Sequence, residues 1–494
     1  MPAVTSSLLL RDAEIDGVRR ADIRVANAVI AEVAPGLSRM AGEEVIDCDG
    51  GAVLPGLCDH HLHLHAMAAA TASVRCGPPQ VRDAGALAAA LGSARPDPTG
   101  WIRGTGYFES VAGDLDARAL DRARADRPVR VQHRSGALWI LNSAALAEVG
   151  LADGDLAGPE VGRPGPEAGH PGVERDAAGR PTGRLWRADD WLRRRLGQGH
   201  REPRALPPLG AVGLQLRGFG ITTVTDATPD LDPAAIASIS AAIRRGEVPP
   251  RVQLLGVPLG GSVPPTPGLT VGPYKIVLAD SGMLTYPELA ERVAAAHGEG
   301  RAVAVHCVTL EALVLLIAVL REVGTLRGDR VEHGGIVARE MVRELALLGL
   351  RVVTQPGFLT DRGDDFLDGL PAAEHGDLYR CGSLLRARVP LALSSDAPYG
   401  PVDPWKVMSA AVSRRTASGR VVGTGEGISA REALDAYLGA ADDPGGAPRR
   451  VRAGKAADLV LLRVPLAEAL RTPGPVRAVV SAGEIHDQPA SSEN

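Results

Sequence analysis

The sequence predicts an α/β protein with a TIM-like (β/α)8 barrel and a small β-sandwich domain that is built from the N- and C-terminal segments. Eight short apolar runs alternate with helical patterns through the middle of the chain, and strand-like segments occur at both ends. Apolar strands that alternate with helices indicate a parallel sheet covered by helices, and a count of eight favours a closed barrel. A doubly wound open sheet would normally carry a glycine-rich turn after its first strand, and no such turn is present in the sequence.

The two ends of the chain read as strands with short turns. The N-terminal part contains SLLLRDAEI, ADIRVANAVIAEVAPG and EEVIDCDGGAVLPG, and the C-terminal part contains VRAGKAADLVLLRV and VRAVVSAGEI. Chain termini often lie close together in folded domains. We therefore expect residues 1–54 and 445–494 to form one β-sandwich domain, and residues 55–444 to form the barrel.

The barrel strands begin with the histidine-rich run GAVLPGLCDHHLHLH. The other seven are predicted at 221–226, 251–257, 274–279, 302–307, 330–333, 351–355 and 391–396. Amphipathic helical patterns lie between many of them, including YPELAERVAAAHGEG, TLEALVLLIAVLREVG and REMVRELALLGL. Residues 66–205 do not follow this alternation of strands and helices, and we expect this long insertion to form a lid or pocket wall above the active face.

Composition limits the classes of partner. The 494 residues carry a net charge of −5 with dispersed basic residues, which argues against nucleic acid. No apolar stretch approaches the roughly 18 residues of a membrane helix, and no secretory signal is evident at the N-terminus. Five cysteines without CxxC spacing predict reduced thiols. We expect a cytoplasmic protein with a small-molecule substrate; a homo-oligomer remains open.

The run LPGLCDHHLHLH packs four histidines into six positions. A strand alternates its side chains between two faces, so we expect His61, His63 and His65 to share one face while His60 points to the other. Converging imidazoles are costly to bury, whereas a divalent metal favours several neutral imidazoles. An HxH pair alone is a weak motif, and a solvated histidine-rich turn is the alternative.

Lysine is rare in this chain. Only Lys275, Lys406 and Lys455 are lysines among 54 basic residues. Arginine stays protonated, whereas a buried lysine can lose its proton and react. A lysine in this background therefore predicts a specific role.

Residues that ligate metals recur where four of the predicted strands end, which is where barrel enzymes keep their chemistry, and the fourth predicted strand carries Lys275. His306 or His333 taken alone would be better explained as a core histidine, but the joint placement is a strong signal. The set consists of His61, His63, Lys275, His306, His333 and Asp396.

These motifs resemble the amidohydrolase superfamily of metal-dependent hydrolases. The resemblance runs from about residue 45 to 465 through LPGLCDHHLHLH, GITTVTDA, YKIVLAD, AVAVHC, DRVEHGGIV, ALSSDAPYGPVDP and VRAGKAADLVLL. The long insertion with PVRVQHRSGALWILNSAAL and the SDAPYGPVDP segment are similar to the YtcJ-like group, which includes N-substituted formamide deformylases.

The resemblance implies a cofactor of divalent metal, two zinc ions bridged by a carboxylated lysine. In that arrangement His61, His63 and Asp396 hold one ion, and His306 and His333 hold the other. The bridging group would be the carbamate of Lys275.

The resemblance also implies a reaction. The enzyme would cleave a C–N amide-type bond, other than a peptide bond, in an N-acyl or N-formyl amine or a cyclic amide. Metal-bound hydroxide would attack the carbonyl, with Asp396 as general acid and base. The alternatives are a mononuclear deaminase of the same superfamily, in which Lys275 is a spectator, and a non-catalytic metal-bound binding protein.

Three further residues are candidates for substrate binding. His133 lies in QHRSGALW, where many relatives have histidine four positions later, at the place of Ala137. Gln355 ends the seventh predicted strand, and His65 follows the HxH pair. The alternatives are a surface histidine for His133 and a structural amide for Gln355.

Overall fold

The computed structural model describes residues 7–78, 80–151, 170–198, 206–279, 282–471 and 474–488. The chain divides into two compact units, one formed by Met1–His65 with Pro208–Asn494 and the other by Ala66–Pro207. Across the described ranges, every helix is too short or too polar to cross a bilayer.

The N-terminal segment forms five strands. Asn27 and Ala28 connect two of them with φ values of 52° and 59°, which is the conformation of a two-residue hairpin turn that matches the twist of the strands. The strands are β1 (Ser7–Ile15), β2 (Arg19–Ala26), β3 (Val29–Ala34), β4 (Glu44–Asp47) and β5 (Ala52–Pro55).

The histidine-rich run forms β6 (Leu57–Leu62), and α1 (Leu64–Thr71) begins two residues later. The unit Ala66–Pro207 contains a six-stranded sheet in the order β11-β12-β10-β9-β8-β7. Its strands are β7 (Val74–Arg75), β8 (Ile102–Tyr107), β9 (Val129–His133), β10 (Leu138–Leu141), β11 (Val173–Arg175) and β12 (Pro181–Trp186). Its helices are α2 (Ala84–Ser93), α3 (Glu109–Ala112), α4 (Ala117–Ala123), α5 (Ser143–Glu148) and α6 (Asp189–Gln198).

Strands and helices then alternate through the remainder of the barrel. The strands are β13 (Ile221–Asp226), β14 (Arg251–Leu254), β15 (Leu269–Val271), β16 (Tyr274–Val277), β17 (Val303–Cys307), β18 (Arg330–His333), β19 (Arg351–Thr354) and β20 (Leu391–Leu393). The helices are α7 (Gly210–Gly218), α8 (Pro233–Arg244), α9 (Tyr286–Gly298), α10 (Leu310–Val323), α11 (Arg339–Leu347), α12 (Gly357–Gly369), α13 (Gly382–Arg386), α14 (Pro404–Ser413) and α15 (Ala430–Asp435), with a 3-10 turn at Ala372–Asp377.

The barrel consists of two parallel sheets, in the orders β15-β14-β13-β6 and β16-β17-β18-β19-β20. Backbone hydrogen bonds join them on both sides. The N–H of Lys275 donates to the carbonyl of Leu255 at 3.2 Å, and the N–H of Asp396 donates to the carbonyl of His61 at 2.8 Å. The predicted TIM-barrel-like α/β fold is confirmed, and the short strand β15 is an addition at the edge of β14.

The two ends of the chain share one sheet. After β21 (Leu459–Leu462), α16 (Leu466–Ala469), β22 (Val476–Ser481) and β23 (Glu484–Asp487), the sheet order is β23-β22-β21-β5-β1-β2-β3, with β4 beside β1. Leu461 pairs with Val53 in the antiparallel contact that joins the ends. A β-sandwich is not confirmed, because these eight strands form one hydrogen-bonded sheet.

Candidate metal centre

Backbone hydrogen bonds bring the end of β6 beside the segment that follows β20. The N–H of Asp396 donates to the carbonyl of His61, and the N–H of His63 donates to the carbonyl of Ala397 at 2.9 Å. The side chains meet as well: Nε2 of His63 lies 3.2 Å and Nε2 of His61 lies 3.6 Å from Oδ1 of Asp396. The three residues each offer one ligand atom within 4.8 Å of the others. This group could hold a metal ion.

His61 is oriented by a buried carboxylate. Its Nδ1 contacts Oε2 of Glu332, and the other oxygen of Glu332 accepts a hydrogen bond from Nε of Arg330. These three side chains are at most 1% exposed. Because the carboxylate can only accept, Nδ1 carries the proton and Nε2 carries the lone pair.

The Nε2 atom of His61 is buried and has no hydrogen-bond partner among the described residues. Burial, together with the nearby charges of Lys275 and His333, holds the pKa of His61 well below its usual value. A neutral imidazole with an unpaired lone pair is the form that ligates a metal. The residues present therefore fit a bound cation.

His63 is fixed by a second set of polar contacts. Its Nδ1 lies 3.1 Å from the hydroxyl oxygen of Thr228. The N–H of Thr228 donates to Oδ1 of Asp226 at 3.0 Å, and the N–H of Leu64 donates to the other oxygen of Asp226 at 2.8 Å. Asp226 thus ties the end of β13 to the beginning of α1, next to His63.

His306 and His333 lie in the same group of side chains. Their ring centroids are 4.4 Å apart, and the centroid of His333 is 4.7 Å from that of His61. Nδ1 of His333 contacts Oε1 of Gln355 at 2.9 Å, and Nε2 of Gln355 donates to the hydroxyl of Ser394 at 2.9 Å. The substrate-binding role of Gln355 stays a prediction.

Lys275 is buried, with 6% of its surface exposed. Burial lowers the pKa of its amine, while the charges of Glu332 and Asp396 act in the opposite direction. Burial alone would raise the pKa of Asp396, but the hydrogen bond with His63 and the electrostatic interactions with the His61 and His333 imidazoles outweigh it and lower the pKa. Asp396 is therefore ionised beside the candidate ligands.

Two of these residues have unusual backbone conformations. His333 has a φ of 72° and Asp396 a φ of 52°, in the left-handed region that side chains other than glycine rarely adopt. Such a conformation costs about 1–3 kcal/mol and is found preferentially at functional sites.

The other candidate histidines lie elsewhere. His60 is fully buried beside Cys58, and burial lowers its pKa to about 3. The predicted alternation does not extend to His65, because the chain is helical from Leu64 onward; Nε2 of His65 contacts the hydroxyl of Ser238 at 3.3 Å.

His133 belongs to the unit Ala66–Pro207. Its two ring nitrogens contact Ser135 at 2.7 Å and Glu109 at 3.1 Å, both in the same unit. The substrate-binding roles of His133 and His65 stay predictions.

Three supporting carboxylates were missed in the sequence: Asp59, Asp226 and Glu332. Oδ1 of Asp59 accepts from the N–H of His61 at 3.1 Å and from that of Ser395 at 3.2 Å, and burial raises the pKa of Asp59 to about 7. Asp59 and Glu332 lie within two positions of a candidate ligand in the sequence, but this spacing does not identify their partners, and Asp226 lacks even this spacing.

The barrel of parallel strands gathers histidine and aspartate side chains at the C-terminal ends of its strands, in an arrangement that could hold a metal ion. The model of the amidohydrolase family matches residues 44–486. The chain belongs to this family, as its motifs predicted, and is a hydrolase.

Individual proteins resemble the chain over most of its length. An N-substituted formamide deformylase from Arthrobacter pascens is 27% identical over 470 residues, which cover 85% of this chain and 84% of that protein. An uncharacterized metal-dependent hydrolase from Pyrococcus horikoshii OT3 has a TM-score of 0.71 at 18% identity, covering 93% of this chain and 97% of its own. A second from Pyrococcus furiosus has a TM-score of 0.67 at 19% identity, covering 92% and 98%. At these identities the two structures support the fold alone.

Proposed function

We propose that the protein is a metal-dependent hydrolase of a C–N amide-type bond in a small molecule, such as an N-formyl or N-acyl amine or a cyclic amide. The observation that carries the metal requirement is the buried Nε2 of His61, which lies beside His63 and Asp396 and has no hydrogen-bond partner in the part of the chain that the structure describes. The bond type is supported by the relative that is named an N-substituted formamide deformylase.

His61, His63 and Asp396 would hold one divalent cation. His306 and His333, with a carboxylated Lys275, would hold a second. Imidazole and carboxylate ligands suit zinc, although the same set accepts other first-row ions. When bound, such cations lower the pKa of water and polarise a carbonyl oxygen.

Lys275 is suited to carboxylation because its burial favours the neutral amine. The neutral amine nitrogen forms a bond to the carbon of CO₂ as one C–O π bond opens, and the nitrogen releases one proton to water, which leaves a carbamate whose single negative charge is shared by two oxygens. This places a buried anion among the imidazoles where a neutral amine stood. An unmodified lysine would instead offer one nitrogen and no negative charge to the ligand group.

Asp396 is the proposed proton carrier. It is ionised, since its neighbours lower its pKa, and its Oδ1 lies beside both histidines of the HxH pair. It would accept the proton of the attacking water and donate it to the departing amine nitrogen.

The test combines metal analysis with a substrate panel. Purified protein should contain close to two equivalents of metal and release amine from at least one member of a panel of N-formyl amines, N-acyl amino acids and small cyclic amides. His63→Ala should lose metal and activity, whereas His486→Ala, a histidine on β23, should retain both. One equivalent of metal with ammonia release from an amino-heterocycle would favour the mononuclear deaminase, and bound metal without turnover would favour the binding protein.

A further inference from the structure

A cavity of about 960 Å³ lies at the end of the barrel opposite to the candidate metal centre. Arg251, the first residue of β14, and Thr223, near the beginning of β13, line it, whereas the histidine and aspartate candidate ligands lie at or just beyond the C-terminal ends of their strands. The opposite wall comes from the eight-stranded sheet through Pro55 and Leu459. Its volume is in the range of small-molecule sites, about 300–1,000 Å³.

The charges around the cavity are predominantly positive. Five cationic side chains and two carboxylates line it, namely Arg251, Arg449, Arg450, Arg452, Lys455, Asp442 and Asp458. Nε of Arg251 is paired with Asp458 at 2.8 Å, and Arg450 is paired with Asp435 at 3.1 Å. Arg452 and Lys455 are exposed. Neither forms an ion pair with any residue in the described ranges.

Arg449 adds a positive charge, and within the described ranges its guanidinium forms hydrogen bonds with carbonyl groups alone. Its guanidinium donates to the carbonyl oxygens of Leu438 at 3.1 Å and Gly56 at 2.6 Å. Burial lowers the pKa of Arg449, and Asp458 acts in the opposite direction. An anion in the cavity would supply the full negative charge that these carbonyl dipoles lack.

The floor of the cavity contains an unsatisfied polar group. Gln253 lines the cavity and is 4% exposed, and its Oε1 is buried without a hydrogen-bond partner in the described part of the chain. Leaving a buried amide oxygen unpaired is unfavourable. A water molecule bound together with the ligand would satisfy this atom.

The remaining lining is largely apolar and includes Ile30, Pro55, Val252, Val271 and Leu459. We propose that this cavity binds a small organic anion that has one anionic group and an apolar body. The anionic group lies among Arg449, Arg452 and Lys455, and the apolar body lies against the sheet, the beginning of β14 and the strand β15. This site is separate from the proposed hydrolytic site.

Octanoate is a suitable probe, measured by isothermal titration calorimetry on the full-length protein at low ionic strength. We expect one molecule to bind per chain. Acetate lacks the apolar body and octylamine inverts the charge, so each should bind at least about tenfold more weakly. Absence of octanoate binding to the wild type would overturn the proposal.

Variants locate the binding site. Arg452→Glu/Lys455→Glu should weaken octanoate binding at least about tenfold, and Thr270→Trp should weaken it by filling the cavity. Arg339→Glu/Arg343→Glu on the exposed face of α11 changes the net charge by the same amount and should leave binding unchanged. Circular dichroism and thermal unfolding verify that each variant is folded.

Octanoate could also reach the candidate metal centre, so the same titration is made with His63→Ala. Unchanged affinity in this variant supports the proposal. Loss of binding there, together with wild-type affinity in Arg452→Glu/Lys455→Glu, would overturn it. The readout does not depend on turnover, so failure of the proposed hydrolase activity would leave this test unaffected.

Discussion

Replacing Glu332 with glutamine should weaken metal binding without removing any candidate ligand. The Glu332 carboxylate accepts from Nδ1 of His61 and from Nε of Arg330, and all three side chains are at most 1% exposed. Glu332→Gln keeps the size and shape of the side chain but removes the negative charge that makes Nε2 of His61 a better ligand. Loss of such a supporting partner typically costs about 10–100-fold in metal affinity, equivalent to about 1.4–2.7 kcal/mol.

The same substitution should also destabilise the metal-free protein. Arg330 would keep its buried charge without a carboxylate, and its Nη1 already lacks a hydrogen-bond partner within the described ranges. Removing one member of a buried ion pair costs about 3–5 kcal/mol. The two effects therefore have to be measured separately, by guanidinium unfolding of the metal-free protein and by competition with a fluorescent zinc chelator.

A double variant separates the effect on metal affinity from the effect on stability. Glu332→Gln/Arg330→Met removes the unpaired cation, so it should recover stability while its zinc affinity stays low. Glu344→Gln is the matched control, because Glu344 is paired with the exposed Arg321 on the outside of the barrel and should change neither property appreciably. A folded double variant that binds zinc with the dissociation constant of the wild type would refute the role assigned to Glu332.

Three further predictions concern the site and the core. Asp396→Asn should reduce turnover by about 10²–10⁴-fold with an unchanged circular dichroism spectrum; retained turnover would exclude Asp396 as the proton carrier. Chelation of the metal should lower the unfolding temperature, and zinc at about 100 times its dissociation constant should restore about 2.7 kcal/mol of the free energy of unfolding. An unfolding temperature that chelation leaves unchanged would contradict the binding of metal to the folded state. All five cysteines should resist 5,5′-dithiobis(2-nitrobenzoate) until unfolding, because they are buried. Burial raises the pKa of each thiol above its ordinary 9.0. The thiols of the unfolded chain therefore ionise at a lower pH than those of the folded chain, and the free energy of unfolding should fall as the pH rises above about 9. A native thiol that reacts fast, or a free energy of unfolding that does not change at alkaline pH, would contradict this.

The barrel strands were predictable because strands buried on both faces read as apolar runs. The predictions at 221–226 and 330–333 coincide with β13 and β18. The eighth prediction, 391–396, extends beyond β20, which ends at Leu393, because the chain leaves the strand before it reaches the left-handed conformation of Asp396. The three residues of β15 are too few to show a period.

Pairings between distant segments were less accessible. The sheet with the order β11-β12-β10-β9-β8-β7 produces no regular pattern in the sequence. It mixes parallel and antiparallel neighbours, and glycines interrupt strands such as IRGTGY in β8. The contact between β5 and β21 joins segments about 400 residues apart. The prediction that the ends meet was based on the general proximity of termini, which does not determine how the strands are layered.

The candidate ligands were readable from residue type and position, but their supports were not. A histidine at a strand end indicates a metal because few other uses justify several converging imidazoles. Glu332 carries no such indication, since a glutamate beside an arginine in DRVEH is equally consistent with a surface ion pair. Its role arises only when β18 and β6 are placed in the same barrel, where Glu332 meets Nδ1 of His61. The identity of a ligand is thus a local property of the sequence, whereas the tautomer that allows it to bind is a property of the closed barrel.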